Sequence, residues 1–174
     1  MGVPRSRPIL LLPRSMAITL LRVDERLIHG QVTVGWGARL RPTVYVVVDD
    51  NLVASDWERE LMELGAPPDV EVEFLSVAAA RPRVQEWSGS PARVVVLTRD
   101  LDHMMRLARG GILSGEEVNL GGLHHAPGRI EALPYLFLTD EDRELILELE
   151  AEGASVSARD LPTSPRRSVK EIFR

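Results

Sequence analysis

The 174-residue sequence contains no cysteine, and this absence excludes several kinds of chemistry. Disulfides, thiolate nucleophiles and cysteine-bound metals all need a residue that the chain does not have. Lysine is nearly absent too, because Lys170 is the single one. The body of the chain therefore has no lysine for a Schiff base or for a phosphate-binding loop of the Walker type.

Positive charge and long apolar runs are also scarce. The 21 Lys and Arg residues against 26 Asp and Glu give a net charge of −5. Because nucleic-acid binding needs a basic footprint, we expect no nucleic-acid partner. No apolar run approaches the ~18 residues of a membrane-spanning helix. The remaining composition, with 44% hydrophobic and 27% charged residues, is that of a globular chain of one domain.

Residues 1–15 differ in composition from the rest, with three arginines, three prolines and a short apolar run. That run is shorter than the ~7–15 residues of a signal-peptide core, and Met16 stands directly before the first predicted strand. We expect residues 1–15 to be a disordered extension or the product of an upstream start codon, and residues 16–174 to form the domain. The intact mass of the natively expressed protein distinguishes these alternatives, since a mass that includes residues 1–15 excludes the start-codon explanation.

From residue 18 onward, strand patterns alternate with helical spacing. Strands are predicted at 18–23, 43–48, 70–75, 92–97, 116–119 and 154–159, helices at 30–40, 52–64, 77–87, 101–108 and 140–152, a hairpin near 129–138 and a short helical end at 166–173. In the second helix, Leu61, Met62 and Leu64 are predicted core residues. This alternation predicts an α/β fold whose mainly parallel sheet is covered on both faces. Ligands of such sheets bind beyond the carboxyl ends of the strands.

Two of these strand ends carry residues that a simple capping role explains. Asp49, Asp50 and Asn51 follow the second strand, where paired carboxylates could form a phospho-acceptor or Mg²⁺ site. A phospho-acceptor site of the receiver type needs a lysine after a later strand, so we favour Asp50 or Asn51 as a helix cap that still lines the crevice. Asp100 is predicted to cap the 101–108 helix, with His103 on its exposed face.

A glycine pair and two adjacent histidines follow the predicted 116–119 strand. The chain is expected to bend sharply at Gly121 and Gly122. His124 and His125 have no carboxylate at a supporting i+3 or i+4 position, so we expect structural or exposed histidines rather than metal ligands. The sequence predicts no metal site.

The segment 22–32 follows the first strand and places two arginines, two carboxylates and His29 before a helix start. Gly30 is expected to permit unusual backbone angles beside His29. Amides at the helix start and the Arg26 guanidinium are the groups that would bind a phosphate on this histidine. From the residues alone, a charged loop with a solvated histidine explains the segment equally well.

This segment, with Trp36 after it, closely resembles the signature of the IIB component of the mannose/fructose/sorbose family of sugar phosphotransferase systems. Residues 44–51, the Asn119–Gly122 segment with Gly128 and Arg129 after it, and residues 156–162 resemble further family segments in the same order. The resemblance covers about residues 17–173. It implies a three-layer α/β/α sandwich with a mixed, mainly parallel sheet.

The resemblance also implies site residues. The catalytic group is His29, phosphorylated at Nδ1, with Arg26 and Asp24. Phosphate-binding residues are Arg26, Gly30 and Gln31, and loop support comes from Arg22, Asp50 and Asn119. Arg22 either contributes charge or holds the loop. The resemblance thus implies a phosphohistidine carrier that requires neither metal nor cofactor.

The implied partners are a IIA protein that donates the phosphoryl group and a membrane IIC/IID permease whose bound sugar receives it. The chain would then be a cytoplasmic protein associated with the permease at the membrane surface. A homodimer is kept as an assembly alternative. A regulatory phosphoprotein of an incomplete phosphotransferase system is the alternative function. An unrelated nucleotide-binding fold is a third, against which the missing glycine fingerprint counts.

Overall fold

The computed structural model describes residues 18–174, so the predictions for residues 1–15 lie outside the described residues. The strands are β1 (Ile18–Asp24), β2 (Val44–Val48), β3 (Glu71–Leu75), β4 (Val94–Thr98), β5 (Glu117–Gly122), β6 (Ile130–Leu133), β7 (Leu136–Leu138), β8 (Ser155–Ala158) and β9 (Arg167–Ser168). The helices are α1 (π-helical Gln31–Trp36, then α-helical Gly37–Leu40), α2 (Asp56–Gly65), α3 (Val77–Gly89), α4 (Leu101–Ala108), α5 (Asp140–Ala151) and α6 (Val169–Ile172). A short 3₁₀ turn at Leu52–Ala54 precedes α2.

Seven strands form one sheet in the order β3-β2-β4-β1-β5-β8-β9, which is parallel except for β9. The strands β6 and β7 form a separate antiparallel hairpin, as the sequence predicts. The chain leaves β1 toward β2 and leaves β4 toward β5, so two neighbouring strands have connections running in opposite directions. Crevices at the carboxyl ends of such strands are the usual ligand sites of open α/β sheets. The segment 22–32 follows β1 at this position.

Helices cover both faces of the sheet, which confirms the three-layer architecture. On one face, buried side chains of α3, α4 and α5 join those of the strands in a large apolar cluster. On the other face, Val32 and Trp36 of α1 pack with Leu20, Tyr45 and Val47. Burying these β-branched and aromatic side chains is the main source of stability. Within residues 18–174, no helix is both long enough and apolar enough to cross a membrane.

The core prediction for α2 is wrong for two of its three residues. Leu61 and Leu64 are 53% and 84% exposed, and only Met62 packs against the core. The apolar spacing is helical, as predicted, but the wide stripe extends beyond the side that faces the sheet. Residues on this stripe are therefore available at the surface.

Candidate functional site

A buried ion pair at the end of β1 forms the base of the site. The side chains of Arg22 and Asp24 are both fully buried, and Nε and Nη2 of Arg22 donate to Asp24 Oδ2 at 3.2 and 2.9 Å. Arg22 Nη1 donates to Asn119 Oδ1 at 2.7 Å and to the Arg159 carbonyl at 2.9 Å. Burial lowers the pKa of Arg22, although the Asp24 carboxylate opposes this shift. Arg22 thus holds the loop from inside rather than contributing surface charge.

The two glycines of β5 make room for this pair. A Cβ on Gly121 would lie 1.9 Å from Arg22 Cζ, and a Cβ on Gly122 would lie 3.3 Å from Asp24 Oδ1. The predicted bend at Gly121 and Gly122 is therefore wrong, because both residues continue the strand. Because these two glycines have no side chain, the ion pair can lie close to the strand, and no turn is formed.

The loop after β1 is held in a single conformation by Asp24. Its Oδ1 accepts from the Arg26 amide at 3.1 Å, and its carbonyl accepts from the Leu27 amide at 2.9 Å. Leu27 has a φ of 55°, which is a strained value for a residue with a branched side chain. Its side chain is nonetheless buried in the core, and this packing opposes the strain.

His29 lies on this loop with a side chain that is 15% exposed. Its Nδ1 lies 3.0 Å from the Leu27 carbonyl, and because a carbonyl only accepts, Nδ1 carries the proton. Its Nε2 is buried, has no hydrogen-bond partner among residues 18–174, and lies 3.7 Å from Asp24 Oδ2. Both nitrogens therefore face the protein in this conformation.

Arg26 and His29 approach the same carboxylate, since Arg26 Nε lies 3.8 Å and His29 Nε2 lies 3.7 Å from oxygens of Asp24. Arg26 is 44% exposed, and its Nη2 donates to Gln31 Oε1 at 2.9 Å. Gly30 has ordinary helical angles (φ −53°, ψ −40°), so the expected unusual conformation is wrong and the strain lies at Leu27. A Cβ on Gly30 would meet nothing within 4 Å, so the residue that follows His29 faces open space. The π-helical turn that follows belongs to a class often found at functional sites.

The structure shows a second group of charged residues near the loop, and the sequence did not predict this group as part of the site. Glu25 accepts from the amide and the Nδ1 of His124, and from Arg129 Nη1 at 2.9 Å. Burial raises the pKa of Glu25, but the hydrogen bonds from Arg129 and His124 outweigh it and lower that pKa overall. His124 is thus exposed and paired with a carboxylate 99 positions away, a contact that local spacing does not reveal.

Asp50 does not join the other predicted site residues. Its carboxylate accepts from the Val77 amide at 2.9 Å and from Arg106 Nη2 at 2.7 Å, which ties β2 to α3 and α4. The Val77 amide and Arg106 lower the pKa of Asp50. The predicted cap at Asp50 or Asn51 is also wrong, since Asp49 Oδ1 accepts from the amides of Asn51 and Leu52, both at 2.9 Å.

Asp100 caps α4 as predicted, with Oδ1 accepting from the His103 amide at 2.9 Å. The predicted exposure of His103 is wrong, because this residue is 8% exposed. Asp100, Asp102 and His103 are the group within residues 18–174 with enough clustered ligand atoms for a metal. Both ring nitrogens of His103 are already engaged, Nδ1 by Asp100 at 2.7 Å and Nε2 by the Asp50 amide at 3.3 Å.

These features define a class: an α/β sandwich with a histidine beside an arginine, on a rigid loop at the carboxyl edge of the sheet. Residues 18–174 match the family model described as the sorbose subfamily IIB component of the phosphotransferase system. The chain therefore belongs to this IIB family.

Known relatives agree with this assignment. The sorbose-specific EIIB component of Lacticaseibacillus casei is 29% identical over 88% of this chain and 93% of that protein. The crystal structure of the IIBSor domain of the Klebsiella pneumoniae sorbose permease superposes with a TM-score of 0.81 at 26% identity, covering 91% of this chain and 97% of that one. The mannose-specific EIIAB component of Escherichia coli K12 is 28% identical over 91% of this chain. The chain spans about half the length of that relative (49%).

Proposed function

We propose that this chain is a phosphocarrier that accepts a phosphoryl group on His29 from a IIA phosphohistidine and passes it to a sugar bound by a membrane IIC/IID permease. The observation that carries the proposal is the position of His29, beside Arg26 and the start of α1, in a member of the IIB family. No observation on residues 18–174 favours the regulatory alternative.

The transfer is a substitution at phosphorus. A lone pair of the His29 imidazole forms the new N–P bond while the N–P bond to the donor histidine breaks, and the donor nitrogen keeps the electron pair. The transition state is loose, and its negative charge is spread over the three phosphoryl oxygens. Arg26 and the amides of Gly30 and Gln31 supply the positive field that stabilises this charge.

His29 must turn outward before it can react. Nδ1, the acceptor that the family resemblance implies, donates to the Leu27 carbonyl in the resting conformation, and Nε2 is buried. Rotation about the side-chain torsions breaks one hydrogen bond, which has a net value of about 1 kcal/mol. The neighbouring Gly30 has no side chain that could hinder the turning ring, and a Cβ there would meet nothing within 4 Å. Once the ring is in contact with water, proton exchange moves the imidazole proton from Nδ1 to Nε2 and frees the Nδ1 lone pair to attack phosphorus. The proton stays on Nε2 in the phosphorylated ring.

Asp24 and the residues behind it position the loop. The Asp24 carboxylate lies 3.7 Å from His29 Nε2 and also fixes the Arg26 amide. Arg22 and Asn119 hold Asp24 in turn. Asp24 therefore orients the loop that carries His29, whereas Arg22 and Asn119 are positioning residues. We also propose that the protein works at the cytoplasmic face of the permease; a homodimer stays a prediction.

Phosphoryl transfer from phosphoenolpyruvate through the general phosphotransferase proteins and a IIA protein tests the proposal. The wild-type chain should acquire an acid-labile label, and His29→Ala should abolish it because the acceptor nitrogen is gone. The variants His103→Ala, His124→Ala and His125→Ala are the controls and should keep the label. Full labelling of the His29 variant, or an unlabelled wild-type chain, would refute the proposal.

A further inference from the structure

The outward side of α2 carries three large apolar side chains that nothing in the described chain covers. Trp57, Leu61 and Leu64 are 67%, 53% and 84% exposed. Their spacing of four and three residues places them on one face of the helix. We call these three residues the α2 patch. Grouped apolar side chains at a surface, especially with a polar rim, mark sites of protein or membrane interaction.

Helix α2, which carries the patch, contacts the carboxyl edge of the sheet and the residue next to His29 through other residues of the helix. Near the start of α2, Glu58 accepts from Arg99 Nη2 at 3.1 Å, and Arg99 directly follows β4 at the carboxyl edge of the sheet. At the other end of α2, a Cβ on Gly65 would lie 3.6 Å from both Cγ2 and the carbonyl of Ile28, the residue before His29. A large partner that reaches His29 is therefore brought against α2 as well.

The rim of the α2 patch is acidic. Asp56, Glu60 and Glu63 are exposed on the helix. The one basic residue of α2, Arg59, is engaged by Asp56 and by the Val53 carbonyl. Because Asp56 and Arg59 offset each other, Glu60 and Glu63 make the border of the patch negative.

The negative charge of this border favours some binding partners of the apolar patch over others. A second copy of the chain would bring acidic rims together, and like charges disfavour such pairing. An anionic lipid surface is repelled for the same reason. The cytoplasmic loops of membrane proteins, in contrast, carry an excess of Lys and Arg.

We infer that the α2 patch docks on the cytoplasmic face of the membrane permease whose bound sugar receives the phosphoryl group, an inference that rests on the proposed function. Trp57, Leu61 and Leu64 pack on apolar side chains of the permease, while the acidic rim pairs with its Lys and Arg residues. The patch is a docking surface and takes no part in phosphoryl transfer.

The test is co-sedimentation of the unphosphorylated full chain with inverted membrane vesicles that contain the IIC and IID proteins of the same organism. The double variant Leu61→Glu, Leu64→Glu should bind these vesicles about tenfold or more weakly, because it removes apolar contacts and adds negative charge. Wild-type binding should weaken as salt is added. The matched control is Leu147→Glu on α5, since Leu147 is 53% exposed like Leu61. It should bind as the wild type does.

Phosphorylation by IIA, measured in parallel, shows whether the α2 patch binds the permease or the IIA protein. The double variant should accept the phosphoryl group at the wild-type rate, because His29 and Arg26 are unchanged. The inference is overturned if the double variant binds the vesicles as the wild type does, or if its phosphorylation by IIA falls as much as its vesicle binding. It is also overturned by wild-type binding to vesicles without permease, or by a wild-type dimer that the double variant dissociates. Failure of the proposed function is distinct, because it shows as a wild-type chain that binds the vesicles but is not labelled by IIA.

Discussion

At the scale of single residues, the site depends on charges that water does not reach. Arg22 and Asp24 are buried together, and Asn119 and the Arg159 carbonyl accept hydrogen bonds from Nη1 of Arg22. Removing one partner of a buried pair leaves an uncompensated charge, which typically costs about 3–5 kcal/mol. The pair therefore fixes one loop conformation, and Arg26 is left as an exposed cation beside His29.

Arg26→Ala should fold normally and transfer slowly. Arg26 is 44% exposed on the loop, so little packing is lost. Loss of a charge-assisted contact to the phosphoryl oxygens should lower the transfer rate by about a hundredfold. Rapid-quench measurement of phosphoryl transfer from IIA, with thermal unfolding alongside, checks this. An unchanged rate at normal stability would make Arg26 a bystander.

Gly121→Ala should destabilise the protein and disturb the site from a distance. The new methyl group would occupy the position of the Arg22 guanidinium, and overpacking of this kind costs about 1–3 kcal/mol. Urea unfolding gives the free energy of unfolding, and the rate of phosphoryl labelling shows whether the loop still positions His29. Gly89→Ala is the control, because a Cβ there meets nothing within 4 Å. Equal stabilities of the two variants would contradict the close packing at Gly121.

At the scale of elements, carboxylates at strand ends fasten the strands to the segments around them. Asp49 directly follows β2, accepts from two amides of the 3₁₀ turn, and accepts from Arg99 Nε at 2.8 Å. Burial raises the pKa of Asp49, but the Arg99 hydrogen bond and the turn amides outweigh it, so that the pKa is lowered. The ionised form is therefore favoured by folding.

Asp49→Asn should lower the free energy of unfolding by about 1–3 kcal/mol at pH 7. A lowered carboxyl pKa stabilises the fold above the unfolded value of about 3.9, and that stability is lost as the pH falls through the folded value. The difference between wild type and variant should consequently shrink at acid pH. Urea unfolding between pH 7 and pH 3 measures it, with the exposed Asp69→Asn as control. A pH-independent difference would argue against the ionic contribution.

At the scale of the whole molecule, the net charge of −5 does not describe the surface near His29. Arg22 and Asp24 are buried and offset each other, so neither contributes to the charge of this surface. Glu25 is paired with His124 and Arg129, which leaves Arg26 as the local positive group. Local charge of this kind steers a transient partner more than the net charge does.

Binding of a IIA partner should therefore weaken with added salt and be lost on charge reversal, Arg26→Glu. The contact should be small, below ~1,200 Å², because a carrier must release each partner quickly. Nuclear magnetic resonance titration should shift resonances within residues 22–36. Shifts clustered elsewhere, or an affinity indifferent to ionic strength, would exclude this surface.

The sequence by itself determined the order of the elements and the position of the loop that carries His29. Periodic apolar residues and the cap at Asp100 are local signals, so the alternating strands and helices follow from them. The segment 22–32 and the family resemblance singled out His29, Arg26 and Asp24. These predictions need no knowledge of which distant residues meet.

Tertiary structure decided which charges are buried and which apolar residues are not. Arg22 meets Asn119 across 97 positions and needs the missing side chain of Gly121, so its role depends on how β1 pairs with β5. The exposure of Leu61 and Leu64 also depends on how distant segments of the chain are arranged. Helical spacing puts residues on a stripe, but only the arrangement of the other elements determines whether anything packs on it. Burial and ion pairing are long-range properties, since they depend on segments that fold together from distant parts of the chain.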